Sequence, residues 1–139
     1  MDIHAVLKSL YLGVDDHVLI GSGILGALGI RPIGDLDVTV SPETYARLSQ
    51  DPRFTKTEAY GREVLVDDPL EIGTSWGVLG GQSFEDLKEK SVVVNKVRYI
   101  TLEFLLAVKR SWVAQGGVIR QKDADDIALI EAYLAKQTD

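Results

Sequence analysis

The chain has 139 residues, of which 45% are hydrophobic and 26% are charged, and its net charge at pH 7 is −6. These values are typical of a globular protein, so we expect one domain over residues 1–139 and exclude a disordered or low-complexity chain. Because the chain has no cysteine, disulfides, zinc–thiolate centres and cysteine nucleophiles are excluded as well.

Helical and strand signals alternate through the N-terminal half. Helices have apolar residues three and four apart, whereas half-buried strands alternate apolar and polar residues. Glycine and proline mark the breaks between elements, and Ser41 followed by Pro42 is a typical helix start. The predicted elements are a helix over 3–12, a strand over 17–20, a helix over 23–28, a strand over 35–40 and a helix over 42–50.

The C-terminal half is predicted to consist of short strands followed by two helices. Thr101 is placed to cap the first of these helices, and Asp123 with Asp126 to cap the second. The predicted elements are strands over 55–60, 63–67 and 69–74, a helix over 84–90, a hairpin of 91–94 with 97–100, and the two closing helices. This order predicts an α+β fold (α/β two-layer), with a mixed central sheet, helices packed on it and two C-terminal helices.

Two aspartates, Asp35 and Asp37, lie two positions apart on a predicted strand. Side chains alternate across a strand, so both carboxylates point to one face while Leu36 and Val38 point to the core. Adjacent carboxylates repel each other, and a divalent cation such as Mg²⁺, which prefers oxygen ligands, would relieve that repulsion. The alternative is a solvated strand face with two surface aspartates.

A glycine-rich turn, Gly21-Ser22, lies between the 17–20 strand and the next helix. Backbone N–H groups at a helix start attract anions, and glycine lets a phosphate approach closely. Ser22 can add a hydroxyl donor and cap the helix. Gly21, Gly23 and Gly26 also match the Gly-x-Gly-x-x-Gly dinucleotide motif, but the crossover helix is too short for that site. A third interpretation, in which the glycines serve only helix packing, stays open.

The segment from Gly21 to Val38 resembles the nucleotidyltransferase (polymerase beta-like) superfamily. It has a strand, Gly-Ser, a short helix, a loop containing Gly-Ile-Arg-Pro, and an apolar-flanked Asp-x-Asp. It is similar to small bacterial nucleotidyltransferase-like proteins, which include relatives of antibiotic nucleotidyltransferases and of toxin–antitoxin enzymes. The C-terminal part agrees, with Lys109 in one helix and Lys122-Asp123-Ala124-Asp125-Asp126 opening the next. The resemblance covers about residues 17–134.

The resemblance implies a role for each matching residue. Asp35 and Asp37 would bind Mg²⁺ or Mn²⁺, and a third carboxylate on a later strand would act as base and further metal ligand. Its best match is Glu71, with Asp67 and Asp68 nearby. The nucleotide phosphates would be held by Gly21, Ser22, Arg31 and Lys109.

Two functions follow from this resemblance. The first is an enzyme that moves a nucleoside monophosphate from an NTP to a hydroxyl acceptor, which could be a small molecule, RNA or protein. The second is a non-catalytic protein of the same fold that binds a nucleotide or a partner, for example as half of a toxin–antitoxin pair. Because the chain has little room for an acceptor domain, either the acceptor is small or a second subunit, in a homo-oligomer or a partner protein, completes the site.

Charge and hydropathy limit the other partners. Basic residues are modestly concentrated only between Lys88 and Lys122, so no broad nucleic-acid-binding surface is expected. No apolar run approaches the roughly 18–20 residues that span a bilayer, and nothing resembles a signal peptide. We therefore expect a cytoplasmic protein that does not bind a membrane.

Overall fold

The computed structural model of the chain describes residues 2–59, 61–114 and 121–137. Its helices are α1 (Ile3–Ser9), α2 (Gly23–Ala27), α3 (Pro42–Leu48), α4 (Phe84–Glu89), α5 (Leu102–Ala114) and α6 (Gln121–Gln137). Its strands are β1 (Val18–Ile20), β2 (Leu36–Thr39), β3 (Thr55–Ala59), β4 (Arg62–Asp67), β5 (Leu70–Gly73), β6 (Ser75–Trp76), β7 (Gln82–Ser83), β8 (Ser91–Val94) and β9 (Val97–Ile100).

One seven-stranded sheet organises the described part of the chain. Its strand order is β3-β4-β5-β2-β1-β9-β8, and β6 pairs with β7 in a separate small sheet. The pairs β2–β5 and β1–β9 are parallel, whereas the other neighbours in the large sheet are antiparallel. The predicted α+β class, with a mixed sheet and two C-terminal helices, is confirmed. None of the described helices is long and apolar enough to cross a membrane.

Local sequence signals account for several element boundaries. The Ser41 hydroxyl accepts the N–H of Thr44 at 3.2 Å and caps α3. The Thr101 hydroxyl accepts the N–H of Phe104 at 3.1 Å at the start of α5. Asn95 and Lys96 have φ values of +50° and +67° between β8 and β9, as a two-residue hairpin turn requires.

Two of the predicted helix caps are wrong. Ser22 occupies the N-cap position of α2, but its side chain makes no capping hydrogen bond. Asp123 lies inside α6 and is buried, and its carboxylate accepts a hydrogen bond from Lys109 at 2.9 Å. A lysine buried on α5 needs a carboxylate nearby, and this long-range demand outweighs the local capping pattern.

The two edges of the large sheet differ in character. β3 exposes Lys56 and Glu58 on one edge. β8, on the other edge, has no charged residue, and its Val92 and Val93 are 40% and 45% exposed. Charged side chains discourage strand addition, so only the β3 edge has this protection.

A buried histidine links β9 to the turn before β1. His17 Nε2 accepts the backbone N–H of Arg98 at 3.1 Å, so Nδ1 carries the proton and donates to the carbonyl of Gly13 at 2.7 Å. Burial, more than any other cause, lowers the pKa of His17. The folded protein therefore holds the neutral imidazole, and the stability that this contributes is complete above about pH 6.5, the ordinary value for histidine.

We expect the free energy of unfolding to lose this contribution as the pH falls from about 6.5 toward the lowered pKa, by up to about 1.4 kcal/mol per pH unit. Urea unfolding of His17→Phe and wild type between pH 7 and pH 5 measures this loss. The free energy of unfolding of His17→Phe should fall less steeply with decreasing pH than that of wild type. The exposed His4 provides the matched variant, His4→Phe, which should leave the contribution of the buried His17 in place. Equal slopes for wild type and His17→Phe would contradict the expectation.

Candidate functional site

The two carboxylates on neighbouring parallel strands lie side by side. Asp37 on β2 and Glu71 on β5 are Cα partners, so their side chains leave the same face of the sheet. On the other side of β2, Asp37 is the partner of Ile20, the last residue of β1. The next residue, Gly21, is so close that an added Cβ would lie 3.3 Å from Asp37 Oδ2. The sheet therefore brings the glycine turn, Asp37 and Glu71 together, with the exposed Asp35 just before β2.

The electrostatics of Asp37 reflect this crowding. Burial, followed by the negative charges of Glu71 and Asp35, raises the pKa of Asp37 to about 6, although Arg62 and Lys122 act in the opposite direction. Three carboxylates and two cations thus share one electrostatic environment. The carboxylates repel one another enough to hold back the ionisation of the central one.

The donor chemistry of this site fits a hard divalent cation. Mg²⁺ is commonly bound through one or two carboxylates, with water and substrate phosphates completing the shell. Asp37 and Glu71 supply two carboxylates at adjacent strand positions, and Asp35 a third nearby. No three acidic or histidine side chains among the described residues are already close enough to hold an ion. A bound ion would therefore draw these carboxylates together.

The structure gives Arg31 and Lys109 specific protein partners that the sequence did not predict. Arg31 donates to both oxygens of Asp126, from Nε at 2.6 Å and from Nη2 at 2.8 Å. Lys109, only 3% exposed, pairs with Asp123 at 2.9 Å and with Asp126 at 3.1 Å. These residues form a charge cluster that joins the loop before β2 to α5 and α6. Their predicted contact with phosphate stays a prediction, and in this structure both cations are held by carboxylates.

Arg62 is a site residue that the sequence analysis did not identify. Its Nη2 lies 3.8 Å from Glu71 Oε2. Its Nη1 occupies the space that a Cβ on Gly73 would fill. The sequence places Arg62 beside a predicted turn, whereas in the structure it is the first residue of β4, and only the pairing of β4 with β5 brings it to the carboxylates. The one sequence signal was Gly73, a strand glycine, which can mark a close approach by another group.

A second concave region lies on the opposite face of the sheet. It is an open cleft of about 700 Å³, lined in part by Leu19, Gly23, Leu36 and Tyr99. The carboxylates of the candidate site do not line it. Because the cleft is mainly apolar and lacks an acidic cluster, we assign the chemistry to the open carboxylate face and not to the cleft.

Comparison of the chain with protein-family models, with curated proteins and with solved structures found no match. Its function therefore has to be inferred from the chemistry of the site. The features that bear on it are the glycine turn at Gly21, the acidic group of Asp35, Asp37 and Glu71, and the cations Arg62 and Lys122 that face this group.

Proposed function

We propose that this protein is a nucleotidyltransferase with the fold of that superfamily, which transfers a nucleoside monophosphate from an NTP to a hydroxyl group. One observation carries the proposal. Asp37 and Glu71 lie opposite each other on the parallel strands β2 and β5, and Gly21 lies against the Asp37 carboxylate. Phosphoryl and nucleotidyl transfer need a site that binds phosphates next to carboxylates that bind a divalent cation. Here the glycine turn can bind the phosphates, and the neighbouring carboxylates can bind the cation. The resemblance of residues 21–38 to the superfamily supports the same activity.

Each group has a role in the proposed reaction. Asp35, Asp37 and Glu71 would hold Mg²⁺ or Mn²⁺, which when bound supplies positive charge to the phosphate oxygens. Gly21 and Ser22 would bind the nucleotide phosphates. Glu71 would accept the proton of the acceptor hydroxyl while the hydroxyl oxygen forms a bond to the α-phosphorus of the NTP. The bond from that phosphorus to the bridging oxygen breaks, and pyrophosphate leaves with the electron pair.

Labelled nucleotides test the proposal. The protein is incubated with each of four α-³²P-labelled NTPs, Mg²⁺ or Mn²⁺ and a panel of hydroxyl acceptors. We expect label on an acceptor together with an equal amount of released pyrophosphate. Glu71→Gln should abolish the transfer, whereas Asp68→Asn, which changes an exposed carboxylate near the start of β5, should not.

A non-catalytic nucleotide-binding protein is the second candidate. It requires only the glycine turn at Gly21 beside the Asp37 carboxylate, and does not require Glu71 to act as a base. Saturable binding of an NTP with Mg²⁺, but no label transfer or self-labelling with any acceptor, would support it over the enzyme. Absence of both binding and transfer would contradict both candidates.

Two glycines with similar positive φ angles allow the effect of backbone strain to be separated from an effect on the candidate site. Gly21 has φ +67° and Gly29 has φ +70°, but only at Gly21 would a Cβ meet Asp37, since nothing lies within 4 Å of one at Gly29. Alanine at either position should cost about 1–2 kcal/mol of stability. We expect only Gly21→Ala to weaken Mn²⁺ affinity as well, by roughly tenfold, which corresponds to about 1.4 kcal/mol.

Chemical denaturation and isothermal titration with Mn²⁺ measure the two effects on both variants. A Gly29→Ala variant that loses as much Mn²⁺ affinity as Gly21→Ala would show that backbone strain, and not displacement of the Asp37 carboxylate, is responsible.

A further inference from the structure

Two buried polar atoms without hydrogen-bond partners occur together on the carboxylate face. Among the described residues, the buried side-chain atoms without a partner are Thr39 Oγ1 and Arg62 Nη1. Thr39 is fully buried and follows Asp37 by two positions on β2, so it shares the face of Asp37. Buried polar atoms are nearly always paired, so two unpaired atoms at one place call for a specific explanation.

Both atoms flank the position of Gly73. Thr39 and Gly73 are Cα partners across β2 and β5. Arg62 Nη1 lies where a Cβ of Gly73 would be. The missing side chain of Gly73 therefore leaves a niche that Arg62 Nη1 itself fills, with the Thr39 hydroxyl on the neighbouring strand. Arginine and threonine together offer the N–H and O–H donors that bind an oxyanion.

The strand order places this niche on one side of the reaction centre. Across the sheet, the glycine turn follows β1, Asp37 lies on β2, Glu71 on β5, and Arg62 on β4. The nucleotide phosphates are proposed to lie at the glycine turn, beyond Asp37. Arg62 lies beyond Glu71 on the other side, where the proposed base would meet the acceptor.

We propose that Arg62, assisted by Thr39, binds an oxyanion of the acceptor, so the acceptor is a hydroxyl compound that also carries a phosphate or carboxylate group. This inference rests on the proposed nucleotidyl transfer. The Arg62 side chain is 19% exposed, so its outer edge is within reach of a bound molecule. Its Nη2 lies 3.8 Å from Glu71 Oε2, which is beyond hydrogen-bond distance, so this nitrogen can still donate to a closer anion.

Nuclear magnetic resonance of the arginine side chains tests the anion site without any turnover. Inorganic phosphate and, separately, acetate are titrated into ¹⁵N-labelled protein while the Nε–H signals are followed. We expect a saturable shift of the Arg62 signal with at least one of the two anions, weakened about tenfold or more in Thr39→Val. Arg110, in an exposed ion pair with Glu131, is the internal control and should not saturate in the same range. An Arg62 signal that stays unshifted with both anions, or that follows Arg110, would overturn the proposal.

Paired acceptors test the role of the site in transfer. Transfer to glycerol, glycerol 3-phosphate and glycerate is compared, so that the phosphate and the carboxylate are each measured against a neutral hydroxyl compound. We expect wild type to prefer at least one charged acceptor. Arg62→Gln should lower that preference in kcat/KM by about 10- to 100-fold, the range for a charge-assisted hydrogen bond. Arg62→Lys should retain part of it.

The outcomes separate the two proposals. An Arg62→Gln variant that lowers transfer to neutral and charged acceptors by the same factor would assign Arg62 to positioning Glu71 and overturn the acceptor site. Absence of transfer by wild type to every acceptor would contradict the proposed function. The phosphate and acetate titrations would still decide whether Arg62 and Thr39 bind an anion.

Discussion

Asp37→Asn is expected to lower nucleotidyl transfer by about 10³-fold, the size expected when several kcal/mol of transition-state charge stabilisation are lost. Asp37 is the central carboxylate of the site, between the glycine turn and Glu71. The amide retains the shape of the side chain but not its charge, so Mn²⁺ affinity should fall with the activity. Single-turnover assays with labelled NTP and isothermal titration with Mn²⁺ measure the two quantities.

The same substitution should stabilise the metal-free protein at neutral pH. Because the pKa of Asp37 is raised to about 6, the folded state favours the protonated acid, and ionisation at pH 7 costs stability. The difference between this pKa and that of an ordinary aspartate sets an upper bound of ~3 kcal/mol, which partial solvent exposure reduces to about 1–2 kcal/mol. The gain from Asp37→Asn should disappear as the pH falls below about 4, since the acid is then neutral in both states.

Unfolding in the presence of a chelator at pH 7 and at pH 3.5 checks this gain. Asp35→Asn is the matched variant, because Asp35 is exposed. It should reduce metal binding with little change in stability. If Asp37→Asn is less stable than wild type at pH 7, the carboxylate stabilises the fold. That result would contradict the view that Asp37 lowers stability and is retained for function.

Asp126→Ala is expected to lower the free energy of unfolding by about 3–5 kcal/mol, because it breaks a buried charge cluster. Asp126 is 1% exposed and faces Arg31 and Lys109. The substitution removes the carboxylate that pairs with Arg31. It also removes one of the two carboxylates that pair with the buried Lys109. Urea unfolding of wild type and variant measures the loss.

An exposed ion pair provides the control, because it joins α5 to α6 as the pair Lys109–Asp126 does. Arg110 and Glu131 lie 2.8 Å apart, but both are more than half exposed, so Glu131→Ala should cost only about 0–1 kcal/mol. Burial acts to raise the pKa of Asp126, but hydrogen bonds from Arg31 and Lys109 outweigh it and the pKa is lowered. The contribution of Asp126 is therefore present above about pH 4 and is lost as the pH falls through its lowered pKa. Equal losses in the two variants would contradict this account of the cluster.

Local sequence patterns predicted much of the fold. Ser41 and Thr101 cap helices through contacts only three residues away, and the turn at Asn95 and Lys96 is fixed by its own backbone. The alternation over residues 35–40 correctly separated the buried Leu36 and Val38 from the aspartates. In each case the determining interaction lies within a few residues of the signal.

Long-range pairings could not be predicted in this way. Arg31 and Asp126 are 95 positions apart, and nothing near either residue identifies the other. A buried lysine inside α5 looks in sequence like an exposed one, so Lys109 was assigned to phosphate and not to the carboxylates of α6. The position of Arg62 depends on the register of two strands and on the missing side chain of Gly73.

The unequal sheet edges have a consequence for concentrated solutions. Strand addition needs an unprotected edge on each partner, and of the two edges of the large sheet only β8, with Val92 and Val93, lacks charge. Two molecules that join through β8 in an antiparallel, two-fold arrangement would consume both unprotected edges and leave the charged β3 edges outermost. Association by this route therefore stops at a pair, and a growing fibril would first require the β3 edge to lose its charges.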